Sequence, residues 1–353
     1  MAVREPRGRG GRRPTLEQVA ERAGVGRGTV SRVINGSPRV SDRTRALVEA
    51  AVAELGYVPN TAARALAADR TDAIALVVPE PERRFFAEPY FSDIIRGVGQ
   101  ALAETEVQLL LTFAGGDKER RRLAQYLGAQ RVDGVLLVSV HAGDPLPDLV
   151  DQLGVPAVIS GRRSADEQLP SVDSDNFGGG RAAVEHLVER GHRTIALITG
   201  PLDVYGARRR HEGCLAALEA AGREVDPELV AEGDFTEEGG RRAMAELLAR
   251  RPDLDAVFAG SDVMAGGARL VLREAGRRIP EDVALVGYDD SVIARHMEPA
   301  LTSVRQPIAE MGREMTRLLL DEIADRSADR PASAAGERRQ LVLPTELVVR
   351  DSS

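Results

Sequence analysis

Apolar residues near the N-terminus recur at helical spacing in three short stretches. Thr15 and Gln18 form a capping-box pattern in front of the first stretch, and a second helix is predicted over Arg27–Ile34. Ser41 is the expected cap of a third helix that runs through Leu55. Two short helices around a glycine-containing turn, followed by a third packing helix, predict a helix-turn-helix domain.

Beyond residue 72, short apolar runs alternate with amphipathic stretches, a pattern typical of α/β folds with parallel sheets. Because the roughly 280 residues exceed what one sheet needs, we expect two similar lobes with a ligand cleft between them. The predicted strands are 74–78, 107–112, 134–138, 156–160, 194–199, 256–260 and 283–287. The predicted helices in the clearest amphipathic stretches are 177–190, 204–222, 237–250 and 263–276.

The composition is that of a globular protein, with 43% hydrophobic and 29% charged residues in a chain of 353. No apolar run approaches the roughly 18 residues of a membrane span, and no apolar stretch follows the basic N-terminus as in a secretory signal. The single cysteine, Cys214, excludes an intrachain disulfide framework and a multi-cysteine zinc site. We therefore predict a cytoplasmic protein with no metal, cofactor or membrane partner.

Charge is distributed unevenly along the chain. The net charge is −8, yet the first 70 residues carry 13 arginines against 7 acidic residues, which leaves −14 on the remainder. Lys118 is the only lysine, so the abundance of arginine by itself reflects a compositional bias. Only the position of the arginines along the chain bears on function. A basic head joined to an acidic body predicts a nucleic-acid-binding part.

The second predicted helix offers side chains for reading DNA. The first residues of a helix in the major groove face base edges, and here Arg27 and Arg32 can each grip guanine in bidentate fashion. Thr29 can meet a thymine methyl group or a phosphate. Phosphate contacts, which position the protein without specifying sequence, are expected from Thr15, Ser31 and Asn35.

Three motifs lie at fixed spacing within residues 14–69: T-L-x-x-V-A-x-x-A-G-V, T-V-S-R-V-x-N and L-G-Y-x-P-N-x-x-A-R-x-L. Through them the chain resembles the lactose/galactose repressor (LacI/GalR) family of bacterial transcriptional regulators. The similarity continues through VDSDNFGGG, HLVERGHRTIALITGP and GSDVMAGGARLVLREAGRRIPEDVALVGYDD. It implies a homodimer or tetramer, and we expect the homodimer because no leucine heptad follows residue 340.

The resemblance implies a domain order along the chain. A disordered basic arm (1–13) precedes the helix-turn-helix domain (14–58) and a hinge helix (59–71) that folds on double-stranded operator DNA. A core similar to periplasmic sugar-binding proteins (72–353) binds the effector and dimerises. Leu66 matches the leucine that wedges into the minor groove. Asn60 is expected at the DNA, and Arg64 is expected at a phosphate or at the hinge of the partner subunit.

The head departs from the family pattern at two glycines. Gly26 stands where the family usually has a capping serine. The predicted helix over Arg27–Ile34, which would read the DNA, therefore lacks a side-chain cap at its N-terminus. Gly28 replaces a larger base-reading side chain, which shifts the expected sequence specificity toward Arg27.

By motif, five residues match the family's effector cleft between the lobes. The guanidinium of Arg210, the ring of Phe235 and the carboxylates of Asp262 and Asp289 suit a ligand with hydroxyl groups and apolar C–H faces. Gln306 matches a polar residue near the cleft. Phe86 and Tyr90, in the loop after the first strand, are further candidates. The ligand class stays open, with a carbohydrate first and a purine-like or other polar metabolite second.

Other function classes lack their sequence signatures. The chain has no G-x-x-x-x-G-K-[ST] phosphate loop, no G-x-S-x-G nucleophile elbow and no H-x-x-x-H pair, so we predict no enzyme. A secreted binding protein would carry a signal and no head. The prediction is an allosteric repressor released by an inducer, with a corepressor-dependent repressor or an activator as the alternatives.

Overall fold

The computed structural model describes residues 14–34, 37, 39–57, 70–164, 166–327 and 340–353. The chain divides into two compact units between Thr71 and Asp72. Several predictions lie outside the described residues. These are the basic arm, the hinge helix and the DNA contacts of Asn35, Asn60, Arg64 and Leu66.

The described part of the N-terminal unit contains three helices: α1 (Leu16–Ala23), α2 (Arg27–Ile34) and α3 (Asp42–Leu55). The predicted capping box is present, since the Thr15 hydroxyl accepts from the Gln18 amide while the Gln18 side chain accepts from the Thr15 amide. Ser41 caps α3 through the amide of Thr44. The three helices enclose a small apolar core of Val19, Ala20, Val30, Val33, Val48, Ala51 and Tyr57.

The second unit has two lobes, and each is built around one six-stranded sheet in the described residues. The first lobe contains β1 (Ala73–Val78), β2 (Gln108–Phe113), β3 (Gly134–Leu137), β4 (Ala157–Ser160), β5 (Ser171–Ser174) and β11 (Gln340–Leu343). Its helices are α4 (Glu82–Ala87), α5 (Pro89–Leu102), α6 (Asp117–Gly128), α7 (Leu146–Gln152) and α13 (Ile308–Ser327). All its strand pairs are parallel, in the order β11-β5-β4-β3-β1-β2.

The second lobe repeats this plan with one antiparallel edge. Its strands are β6 (Ile195–Thr199), β7 (Val230–Glu232), β8 (Ala256–Ala259), β9 (Ala284–Asp289), β10 (Thr302–Arg305) and β12 (Glu346–Val348). Its helices are α8 (Asn176–Glu189), α9 (Tyr205–Ala220), α10 (Glu237–Arg250), α11 (Asp262–Glu274) and α12 (Val292–His296). The strand order is β12-β10-β9-β8-β6-β7, with β12 antiparallel to β10. Apolar clusters cover both faces of each sheet, as buried parallel strands require.

The chain passes between the lobes three times: after β5, after β10, and between β11 and β12. All seven strands predicted from apolar runs are present, and no end is displaced by more than two residues. Five strands were not predicted, namely β5, β7, β10, β11 and β12. They have three or four residues each and every one of them includes at least one polar residue, so none forms the continuous apolar run that marks a buried strand.

Candidate functional site

A cleft of about 620 Å³, open to solvent, lies between the two lobes of the second unit. Its walls come from segments that follow the carboxyl ends of parallel strands in both sheets, where ligands bind in open α/β folds. The lining residues are Arg84, Glu88, Tyr90, Ser139, Val140, Ser160, Gly161, Arg162, Asp173, Asn176, Val204, Tyr205, Gly206, Ala207, Arg210, Phe235, Asp289, Gln306 and Met311.

Polar side chains from both lobes form a connected network along this cleft. The Asn176 amide donates to Asp173 Oδ1 at 2.9 Å and accepts from Arg210 Nε at 2.8 Å. Gln306 Nε2 donates to Asp289 Oδ1 at 2.6 Å, while Gln306 Oε1 accepts from the Ser174 hydroxyl at 2.6 Å. Because each group is held by its neighbours, the hydrogen-bonding positions facing the cleft are preorganised.

Arg210 projects from the first turns of α9 into the cleft. Its Nη1 donates to the Gly260 carbonyl at 2.6 Å and lies 3.9 Å from Asp289 Oδ1. Its guanidinium carbon lies 3.9 Å from the centroid of the Tyr288 ring. Stacking and hydrogen bonds together fix the plane of the guanidinium group.

Two buried carboxylates face the cleft. Burial raises the pKa of Asp173 to about 6, although an amide hydrogen bond from Ser174 and the charge of Arg162 oppose that shift. Burial also raises the pKa of Asp289 well above its ordinary value, against the charge of Arg210. Carboxyl groups of this kind accept hydrogen bonds from ligand hydroxyls when ionised and can donate one when protonated.

Cations from one lobe lie against aromatic rings of the other. The guanidinium carbon of Arg84 lies 4.9 Å from the centroid of the Phe235 ring, and that of Arg162 lies 5.3 Å from the Tyr205 ring. The Nε atom of Arg162 is buried and has no hydrogen-bond partner among the described residues. Tyr90 donates to or accepts from the Ser160 hydroxyl at 2.9 Å, and burial raises the pKa of its phenol to about 12.

Three of the six non-glycine residues that have positive φ in the described residues line the cleft. Ser139, Phe235 and Asp289 have φ values of 56°, 63° and 111°, in the region that favours glycine. All three line the cleft and stand at or just after the end of a strand. Such strain persists where the surrounding structure holds a side chain in a required position, and it is enriched at functional sites.

Four of the five motif-matched residues line the cleft, but Asp262 does not. Its side chain is fully buried beneath the segment after β9. There it accepts from the Ser303 hydroxyl at 2.6 Å and the Ser291 amide at 2.7 Å. The structure does not bring Asp262 to the cleft, because β9 and the segment after it cover this carboxylate, so its contact with the effector stays a prediction.

Phe86, a further predicted cleft residue, does not line the cleft either. Helix α4 turns Phe85 inward, at 8% exposure, and leaves Phe86 outside the cleft with 78% of its surface exposed. Arg84, Glu88 and Tyr90 are the members of this segment that line the cleft.

Sequence reasoning did not assign Asp173, Asn176, Arg162 or Tyr205 to the site. Asp173 belongs to the four-residue strand β5, and Asn176 begins the helix that follows. The available signal was the VDSDN segment itself, in which polar residues stand where a strand ends and a helix begins.

The candidate DNA-reading residues on α2 make local contacts in the head. Arg27 pairs with Glu17 at 3.2 Å while remaining 74% exposed, and Arg32 Nε donates to the Gly28 carbonyl at 3.2 Å. The Gly26 carbonyl accepts from the amides of Thr29 and Val30, the first bonds of α2, but glycine has no side chain that could cap the helix as a serine would. Thr15 is exposed, while Thr29 and Ser31 are half-buried.

No helix in the described ranges combines the length and apolar character needed to cross a membrane. Over the same ranges, no group of three or more His, Cys, Asp or Glu side chains is arranged to hold a metal ion.

Two family profiles match the chain. The one described as bacterial regulatory proteins, lacI family, covers residues 15–60, and the one described as periplasmic binding protein-like domain covers residues 184–353. The HTH-type transcriptional regulator CelR of Thermobifida fusca is 54% identical over 97% of this chain and 98% of its own length.

Solved structures agree with these matches. A transcriptional regulator CelR–cellobiose complex is 53% identical, covers 97% of this chain and 100% of its own, and has a TM-score of 0.76. The lac repressor dimer bound to operator and the anti-inducer ONPF is 30% identical, with coverages of 97% and 99% and a TM-score of 0.82. With a helix-turn-helix head, a two-lobed core and relatives matched over nearly their whole length, this chain belongs to the LacI family of bacterial transcriptional regulators.

Proposed function

We propose that this regulator is a homodimeric repressor whose operator affinity is lowered by a short glucose-based oligosaccharide, with cellobiose as the first candidate. The observation that carries the proposal is the 53% identity, over 97% of the chain, to a regulator solved with cellobiose. Acting on operator DNA, the protein would work in the cytoplasm.

The cleft supports a sugar ligand. It is open to solvent and is lined by polar and aromatic side chains of both lobes, which can orient a small polar ligand. Asp173, Asp289, Arg210 and Gln306 would hydrogen-bond hydroxyl groups, and the buried Nε of Arg162 would supply a further donor. The guanidinium group of Arg84 lies over the Phe235 ring. Phe235 would therefore stack on the apolar face of a sugar only if the ligand displaced Arg84.

The proposed DNA contacts fall into two sets within the proposed head (14–58) and hinge (59–71). Arg27, Thr29 and Arg32 would read bases in the major groove. Contacts that position the protein or deform the minor groove would come from Thr15, Ser31, Asn35, Asn60, Arg64 and Leu66.

The proposed coupling is a two-state equilibrium of the core. Ligand between the lobes changes the angle between them, and the hinge segments of the two protomers then either fold together on the operator or separate. An isolated helix as short as 61–68 is marginal in water, so a small lobe movement is enough to decide whether it folds.

The test begins with selection of random double-stranded DNA by the full-length protein. We expect a palindrome, whose binding is then measured by fluorescence anisotropy with cellobiose, maltose, ribose or hypoxanthine added. A cellobiose-specific loss of affinity supports the proposal. A response to hypoxanthine would favour the purine-like alternative, and tighter binding with cellobiose would make it a corepressor.

The wedge is tested on the same palindrome. Leu66→Ala should weaken binding to the selected site while circular dichroism shows an unchanged fold, because the central base step is no longer opened by an apolar side chain. Unchanged affinity would contradict the assignment.

A further inference from the structure

A histidine joins carboxylates of the two lobes beside the cleft. His141 follows β3 in the first lobe, and its Nε2 lies 3.0 Å from Oε1 of Glu80, which follows β1. Its Nδ1 lies 2.8 Å from Oδ2 of Asp203, which follows β6 in the second lobe. The imidazole therefore spans from a carboxylate of its own lobe to one of the opposite lobe.

The backbones of the two lobes meet at the same place. The Ala142 amide donates to the Asp203 carbonyl at 2.8 Å, and His141 forms an isolated antiparallel bridge with Val204. Val140 and Val204, the neighbours of the two bridging side chains, line the cleft. The contact thus closes one wall of the effector cleft.

The surroundings of the histidine favour its charged form. Glu80 is buried, accepts from the Ser139 hydroxyl at 2.7 Å and pairs with Arg84 at 2.5 Å. The hydrogen bond to Glu80 and that to Asp203 raise the pKa of His141 to about 9, although burial opposes them. Asp144, in the same loop, adds a further carboxyl group whose pKa is raised by burial. At neutral pH both ring nitrogens therefore donate, one to each carboxylate.

We propose that His141 and Asp203 form an interlobe clasp that stabilises the closed core and so sets effector affinity. His141 acts here as a positioning residue that need not touch the ligand. The inference rests on the proposed function in one respect only, the use of cellobiose as the probe.

The clasp is a weak interaction that can form and break as the lobes move. The Asp203 side chain is 58% exposed, so solvent screens its pairing with His141 and the ion pair alone contributes little. The lobe equilibrium that an effector shifts is also small in free energy, so a modest contact can bias it.

The first test is a double-mutant cycle on the full-length protein. Cellobiose affinity is measured by calorimetry at pH 7 for wild type, His141→Gln, Asp203→Asn and the double variant. We expect each single variant to lose about three- to tenfold in cellobiose affinity. The double variant should lose no more than the single variant that binds less tightly, since the effects of substituting two interacting residues are not additive. His296→Gln, at an exposed histidine of the second lobe, is the matched control and should bind as wild type does. Additive losses, or none, would overturn the clasp.

The pH profile separates the clasp from a merely structural role. His141 has a raised pKa, so the clasp is complete below the ordinary histidine pKa of about 6.5 and is lost as pH rises through about 9. Wild-type affinity should therefore fall between pH 7 and pH 9.5, whereas His141→Gln should show no fall over that range. Parallel profiles for the two proteins would contradict the proposal.

Hydrogen exchange tests the clasp without any ligand. In the free protein the Ala142 amide should exchange faster in His141→Gln and in Asp203→Asn than in wild type, because its acceptor lies on the opposite lobe. If wild type failed to bind cellobiose, the proposed effector would be wrong, yet this measurement would still decide the clasp. Equal exchange in all three proteins would refute it.

Discussion

Asp289 is the last residue of β9, and Asp262 begins α11 shortly after β8, yet only Asp289 faces the cleft. The Asp262 carboxylate turns inward and holds the segment after β9 through Ser291 and β10 through Ser303. Burial raises the pKa of both carboxyl groups, so a perturbed pKa alone does not separate a ligand contact from an internal brace.

The two aspartates should respond differently to substitution. Asp289→Asn should lower cellobiose affinity at least tenfold while the midpoint of urea unfolding stays near that of wild type, because asparagine keeps an acceptor for Gln306. Calorimetry and denaturation measure the two quantities.

Asp262→Ala should show the reverse pattern. The buried Ser303 hydroxyl and Ser291 amide would lose their partner, which costs about 1–3 kcal/mol for each unsatisfied group. The free energy of unfolding should fall, while the folded fraction retains its affinity for cellobiose. A variant that is as stable as wild type but no longer binds cellobiose would show that Asp262 contacts the ligand.

Arg27 is the exposed cation best placed at the start of α2. Arg27→Ala should cost about 1–3 kcal/mol on the selected operator and relax base preference at one position. Arg22→Ala is the matched control, because Arg22 pairs with Glu54 of α3. Anisotropy on specific and random DNA measures both. An equal loss on the two DNAs would make Arg27 a phosphate contact.

Helices of the core approach one another closely through glycine. A Cβ atom on Gly97 of α5 would lie 1.9 Å from the Ala309 carbonyl oxygen, and one on Gly312 of α13 would lie 2.3 Å from that of Ile94. The pairs α8–α9 and α10–α11 use the same device. This close contact packs α13, the helix that follows the second crossover, firmly onto the first lobe.

Two glycines of α5 provide a direct test of this packing. Gly97→Ala should destabilise the core by about 1–3 kcal/mol, since neither backbone can give way easily. Gly99→Ala, where an added Cβ would have nothing within 4 Å, should stabilise it by about 0.5–1 kcal/mol through helix propensity. Chemical denaturation measures both, and equal effects would contradict the packing argument.

Three crossovers join the lobes on one side of the cleft, while the His141 clasp and two cation–aromatic contacts meet across it. The crossovers are covalent and persist in every conformation. The cross-cleft contacts are non-covalent and can separate, which allows the lobes to move about the crossovers.

Effector and operator must influence each other equally if they share this equilibrium. If cellobiose weakens operator binding by a given factor, about 5–150-fold in typical allosteric proteins, operator DNA must weaken cellobiose binding by the same factor. Calorimetry with and without saturating operator measures the second factor. Unequal factors would contradict a single shared equilibrium between effector binding and operator binding.

The local pattern of the chain by itself determined the three helices of the head, the seven strands that coincide with short apolar runs, and the family. It also pointed to Arg210, Phe235, Asp289 and Gln306, because motif spacing preserves the position of a side chain relative to its own strand or helix. These features depend on contacts within a few residues or on a pattern that repeats along one element.

Only the tertiary structure decided which side chains meet across the cleft. Glu80, His141 and Asp203 lie 61 and 62 residues apart along the chain, so no local period brings them together. The inward turn of Asp262 and the outward turn of Phe86 likewise depend on what packs above each residue. Such contacts arise because parallel strands distant in sequence end at the same edge of a sheet, and the order of the strands is set by packing of the whole core.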